Sequence, residues 1–212
     1  MRLFAISLFT LFLAACVTVI PPSHGIYSGN IAFKRGDYAQ AKESFSSALQ
    51  LATQQNWKPH IATAKYGLGR SLSQLCQFDE AEKYLMEAAS LESEISGGKG
   101  IYLSQDYFEL ARLYYEYGKF DKAVPYFQKA IPLAEELRVA SSDPIGYANA
   151  LEDYAIALSK VGDANQAKAI EQKITAFRQS NPGKSAGFKI IRVNPQCAPN
   201  ITIHRTGLTA VR

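Results

Sequence analysis

The sequence predicts an all-α array of about four paired helices. Three observations carry that prediction. Four segments, Gly29–Ala41, Gly69–Ala81, Ala111–Ala123 and Ala155–Ala167, align without gaps around a helix–turn–helix core. Small residues recur at two fixed places in each segment, one on each helix of the pair. A turn residue separates the two helices at Gly36, Gly118 and Gly162, with Cys76 in that place in the second segment.

Composition sets the outer bounds. The chain has 212 residues, 47% of them hydrophobic and 20% charged, with three cysteines. Apolar and aromatic residues are too plentiful for a disordered chain. Three cysteines do not make a disulfide scaffold. The only long apolar run is residues 3–15, which excludes a polytopic membrane protein.

The chain opens Met1-Arg2, followed by an uncharged stretch from Leu3 to Ala15 and then Cys16. A basic start, a short apolar run and small residues before a cut site mark a secretory signal. Thirteen residues rise only about 20 Å as a helix, too little for a bilayer core of about 30 Å. Leu13-Ala14-Ala15-Cys16 resembles the lipobox of bacterial lipoproteins. That resemblance implies cleavage before Cys16 and acylation of its thiol, which suits stable anchoring when several chains are attached. It also implies an outer-membrane, periplasm-facing address. Residues 1–15 are then signal peptide and 16–22 a lipidated tether.

The array follows over residues 23–180, with repeats at about 23–56, 60–96, 102–139 and 144–180. Gly29, Gly69, Ala111 and Ala155 fall inside the first helices, and Ala41, Ala81, Ala123 and Ala167 early in the second. Small residues on both partners let helix axes approach toward the short end of the 8–10 Å range. Glycine costs about 1 kcal/mol in a helix relative to alanine, so Gly29 and Gly69 point to a packing need. Gly36, Gly118 and Gly162 suit a left-handed cap. Tyr38, Phe78 and Phe120 follow the turns and can plug the helix junctions. Phe45 with Ala48, Leu85 with Ala88, and Phe127 with Ala130 continue the apolar face. In the fourth segment Ala164 and Glu171 replace aromatics, as befits a terminal repeat. Loop compositions at 54–59, 96–100 and 141–144 separate the repeats. Pro132 predicts a kink in the third repeat's second helix.

These residues resemble the tetratricopeptide repeat family over roughly residues 22–180. The turn residues are spaced 40, 42 and 44 apart, longer than the usual value of about 34. The spacing is similar to the long-helix variety of kinesin light chains and many bacterial regulators. The resemblance implies that first helices line a concave, partner-binding face. Carried over, the inward positions include Asn30, Phe33, Lys34, Tyr66, Arg70, Phe108, Arg112, Tyr115 and Glu116. Aromatic residues and arginines are enriched at binding hot spots, and arginine can fork onto a carboxylate. The lysine–asparagine clamp of some relatives is not reproduced beyond Lys34 and Asn30.

The tail from residue 178 onward holds six basic residues and no acid. The chain beyond Cys16 has 22 basic and 19 acidic residues, which leaves the repeats net −3 and the tail +6. Such a tail either is solvated or meets an anionic surface. Residues 188–193 and 201–203 have strand character. Cys76 and Cys197 remain after lipidation, and an oxidising envelope permits a disulfide between them, with two free thiols as the other possibility. No HExxH, Cys-x-x-Cys, acidic calcium loop or Gly-x-Ser-x-Gly is present, so no cofactor, metal or catalytic residue is expected. The expected function is a non-catalytic, lipid-anchored adaptor for an envelope protein or peptide. No nucleic acid or small-molecule substrate is expected. The alternative is a structural envelope protein whose basic tail binds an anionic wall or lipid polymer.

Overall fold

The computed structural model describes residues 21–187 and 192–197. The signal segment, Cys16, residues 188–191 and the strand-like stretch at 201–203 lie outside them. Among the described residues there are nine α-helices and no strand. They pair as α1 (Pro22–Lys34) with α2 (Tyr38–Gln54), α3 (Lys58–Gln74) with α4 (Phe78–Ser96), α5 (Ile101–Glu116) with α6 (Phe120–Glu136), and α8 (Pro144–Lys160) with α9 (Ala164–Gln179). A single extra turn, α7 (Val139–Ser142), lies between α6 and α8. None of these helices is long and apolar enough to cross a membrane.

Each element has a local cause. Asp37 and Asp163 cap α2 and α9 by accepting the N–H groups of Gln40 and Gln166, each at 3.0 Å. Prolines occupy the first turns of α1, α3 and α8, where a missing N–H costs nothing. The first helices end at Gly36, Cys76, Gly118 and Gly162, with φ of 82°, 61°, 70° and 88°. Cys76 thus adopts the left-handed conformation that glycine supplies in the other three turns.

The small residues are packing sites. A Cβ built on Gly29 would meet the Phe45 ring at 2.9 Å, and one on Gly67 would meet it at 2.4 Å. Phe45 of α2 is therefore wedged between α1 and α3. A Cβ on Gly69 would meet Leu85 of α4 at 2.5 Å. The same place in the third pair is filled by Phe127, whose ring lies 5.4 Å from Tyr154 of α8. Ala41, Ala81, Ala111, Ala123, Ala155 and Ala167 are all buried.

α6 runs continuously through Pro125 and Pro132. Pro132 and Gln128, whose carbonyl loses its helical partner, both lie on the exposed face. Water can satisfy that carbonyl, while Phe127, Ala130, Ile131 and Ala134 hold the buried face together. The expected kink is not a break.

Successive first helices lie against one another, α1 on α3, α3 on α5 and α5 on α8. Second helices of successive repeats do not pack on each other to that extent. The first helices therefore form the inner face of the curved array.

Candidate functional site: the inner face

A cavity of about 410 Å³ opens on this face between α3, α5 and the α7–α8 segment. Tyr66 and Arg70 bound it on α3, and Ile101, Gln105 and Phe108 on α5. Val139 and Tyr147 close the far side, and Phe127 of α6 also lines it. The lining is mostly apolar, and Arg70, Glu109 and Arg112 form a polar flank on α3 and α5.

Glu109 organises that flank. Arg112, one helical turn on, donates from Nε to Glu109 Oε2 at 3.2 Å and from Nη2 to Oε1. Arg70 on the neighbouring helix brings Nε to 3.5 Å from the same carboxylate. Burial pushes the Glu109 carboxyl up, but Arg112 and Arg70 overcome that and hold it below its ordinary value. Arg70 also lies 4.1 Å above the Phe33 ring and 5.3 Å from the Tyr66 ring. Burial, opposed by Arg70, pushes the Tyr66 hydroxyl up to about 12. Behind the flank, Asp106 is 2% exposed and Glu92 is buried. Burial first, and then the charges of Glu92 and Glu109, push Asp106 up to about 8.

The C-terminal segment returns across the inner face. The Gly187 N–H donates to Asp143 Oδ1 at 3.0 Å, the same oxygen that caps α8 through Gly146 at 2.9 Å. Arg192 forks onto Asp153 of α8, Nη1 to Oδ2 at 2.8 Å and Nη2 to Oδ1 at 2.9 Å. Its Nη1 also reaches Glu116 of α5 at 2.7 Å. Val193 is buried, and Cys197 is bonded to Cys76 in the α3–α4 turn with an S–S length of 2.03 Å.

The structure brings together four of the expected residues, Tyr66, Arg70, Phe108 and Arg112, on the cavity wall. Arg112 is hydrogen-bonded to Glu109, and Arg70 lies at ion-pair distance from the same carboxylate. Tyr115 is not a surface residue: it is 1% exposed and meets Phe120 edge-on. Phe33 is buried beneath Arg70, so it supports the wall without forming it. Asn30 and Lys34 are exposed but lie outside the cavity lining. Glu116 faces Arg192. The part of the tail at 192–197 is packed on the repeats, contrary to the solvated reading.

Sequence reasoning missed Glu109, Asp153 and the α7–α8 wall. Glu109 stands three residues before Arg112, a spacing that places both on one helix face. Nothing local in the sequence pointed Arg192 at Asp153, 39 residues away. Among the described residues no cluster of His, Cys, Asp and Glu could hold a metal ion.

Sequence models of the tetratricopeptide repeat match residues 60–136 and residues 28–55. The chain carries tetratricopeptide repeats. Response regulator aspartate phosphatase J of Bacillus subtilis is 32% identical over 99 residues. That match covers 47% of this chain and 26% of the phosphatase, so the likeness spans about a quarter of that relative. BtubC (BKLC) from P. vanneervenii superposes with a TM-score of 0.68 at 24% identity, covering 81% of this chain and 72% of that one. A Podosopora anserina structure of nearly identical kinesin light chain TPR-like repeats gives 0.65 at 16% identity, covering 76% and 78%. Aspartyl phosphate phosphatase F from Bacillus subtilis gives 0.51 at 18% identity, covering 80% and 52%. These likenesses show the tetratricopeptide fold. Such repeats bind protein partners, and their stacked first helices are the usual surface for it.

Proposed function

We propose that this chain is a non-catalytic adaptor of a cell envelope, which holds a protein or peptide partner on the inner face of its tetratricopeptide repeats. The observation that carries this is the apolar cavity of about 410 Å³ between α3, α5 and α8, bounded by Tyr66, Phe108 and Tyr147. Its volume suits one or two large side chains of an extended segment. The phosphatase name belongs to a relative of which this chain matches about a quarter, and that activity is not carried over.

The envelope address and the lipid anchor at Cys16 rest on the lipobox-like Leu13-Ala14-Ala15-Cys16. A Cys76–Cys197 disulfide fits an oxidising compartment. The outer membrane, facing the periplasm, is the address that this reading favours, with roles of the pilotin, assembly-machine or peptidoglycan-enzyme scaffold type. The tail-as-polymer-binder reading is weakened, because Arg178 pairs with Glu152 and Arg192 with Asp153 and Glu116.

Two measurements test the proposal. Ile101, 46% exposed on the cavity rim at the start of α5, tolerates an acid there. An Ile101→Asp/Gln105→Arg variant should fold by circular dichroism, yet lose at least tenfold of the partner that wild type retains from membranes. Equal retention by both would refute the groove. For the anchor, intact mass should show acyl groups on the mature wild type and none on Cys16→Ser; an unacylated wild type would refute it.

A further inference from the structure

The described C-terminal segment sits on the inner face as a ligand would. Its anchor is Arg192, which places a planar guanidinium against two carboxylates. The Asp153 side chain is 3% exposed, that of Arg192 31%. Asp153 receives both arms of the fork, and Glu116 takes a second bond from the same Nη1. The Tyr115 ring lies 5.8 Å from the guanidinium carbon. Two neighbouring carboxylates, one almost wholly desolvated, favour a cation between them. The paired bonds to Asp153 fit the flat fork of arginine, whereas a lysine ammonium is a point charge. Burial pushes the Asp153 carboxyl up, and Arg192 acts against that shift.

The rest of the segment is fixed at two further points. Gly187 donates to Asp143 at the head of α8, and Cys197 is bonded to Cys76 at the end of α3. The attachment thus reaches from the fourth repeat to the second.

We infer that Asp153 and Glu116, above Tyr115, form a recognition site for an arginine-bearing extended peptide, filled in cis by the chain's own Arg192 and opened to a partner segment of the same chemistry by reduction of Cys76–Cys197. This rests on the inner face being the partner-binding surface, and it names what that surface recognises. The opening step is thiol–disulfide exchange with a dithiol. One thiolate of the dithiol attacks a sulfur of the bond and forms a mixed disulfide. Its second thiolate then displaces the protein sulfur. Cys76 and Cys197 leave as thiols, and the dithiol leaves as a disulfide. The segment is then held by Arg192, the buried Val193 and the Gly187–Asp143 bond, and it remains tethered at high effective concentration. An incoming peptide must still compete with it.

The test uses full-length protein and a fluorescein-labelled peptide with the sequence of residues 187–197 carrying Cys197→Ser. An Arg192→Ala/Cys197→Ser chain has both the guanidinium and the bond removed. Anisotropy should show saturable binding of the peptide to this variant. A peptide that also carries Arg192→Ala should bind at least tenfold more weakly. Adding Asp153→Asn to the protein should cost a similar factor. Oxidised wild type should not bind, and wild type in dithiothreitol should bind more weakly than the vacated variant. If Asp153→Asn fails to fold, the comparison of the two peptides still decides. Equal binding of both peptides, or none to a vacated variant that is folded by circular dichroism, overturns the arginine site. Identical behaviour of wild type before and after reduction overturns the control by the disulfide. Loss of the arginine effect alongside intact groove-dependent partner capture would strike this site and leave the adaptor reading standing.

Discussion

At the scale of single residues, close contact and buried charge set the rules. Phe45 sits between Gly29 and Gly67, and a methyl group on Gly67 would fall 2.4 Å from its ring. Gly29 flanks the same ring, where an added Cβ would fall 2.9 Å from it. Gly67→Ala should therefore destabilise by about 1–3 kcal/mol, as overpacking does. An unchanged urea midpoint would contradict the wedge. Asp106 gives a second prediction. Its folded value of about 8 lies above its ordinary 3.8, so the native state holds a proton that the unfolded chain releases. Stability from this group is full below about pH 4 and is lost as pH rises toward 8. Asp106→Asn should remove that loss. Between pH 5 and 8 the melting temperature of wild type should fall more than that of the variant. Glu109 is held low by its arginines and titrates below this window. Parallel falls in the two proteins would show that Asp106 is already ionised.

At the scale of elements, the helix pairs were legible because each carries its own stops. The turn glycines, the small packing residues and the aromatic plugs recur at fixed offsets, and offsets survive in a bare sequence. Tyr38 does meet Phe33 edge-on at 5.2 Å, and Phe120 meets Tyr115 at 5.7 Å. The inner-face positions were legible too, but their state was not. Whether Arg70 is free or paired depends on Glu109 of the next repeat, and periodicity does not report pairing. α6 continues through Pro132 because the cost depends on whether the orphaned carbonyl of Gln128 faces water, and Gln128 lies on the exposed face. Asp37 and Asp163 each hold one otherwise unpaired N–H at the start of a helix. Asp37→Ala should cost about 1 kcal/mol, read from thermal unfolding. Asp37→Asn should recover most of it; a variant pair with no difference from wild type would remove the cap from the account.

At the scale of the whole molecule, the C-terminal segment ties the fourth repeat to the second. The Cys76–Cys197 bond spans 121 residues. In the chain-entropy view a closed loop of that size stabilises by about 5 kcal/mol. Cys76→Ser/Cys197→Ser should lower the denaturant midpoint by a corresponding amount, up to that figure. A midpoint equal to that of the oxidised wild type would mean that the bond adds no stability. This long-range closure was open in the sequence, where a disulfide and two free thiols stood as alternatives, because distance decides between them. The cavity beside α5 opens on the inner face, and the proposed function turns on that surface. A photo-cross-linking residue at Gln105, inside the cavity, and another at Lys83, exposed on the outer helix α4, test it most directly. Cross-linking in membranes from the source cell should trap one discrete partner through position 105 and leave position 83 empty. Equal trapping at both positions, or trapping at 83 alone, would contradict the inner face as the working surface.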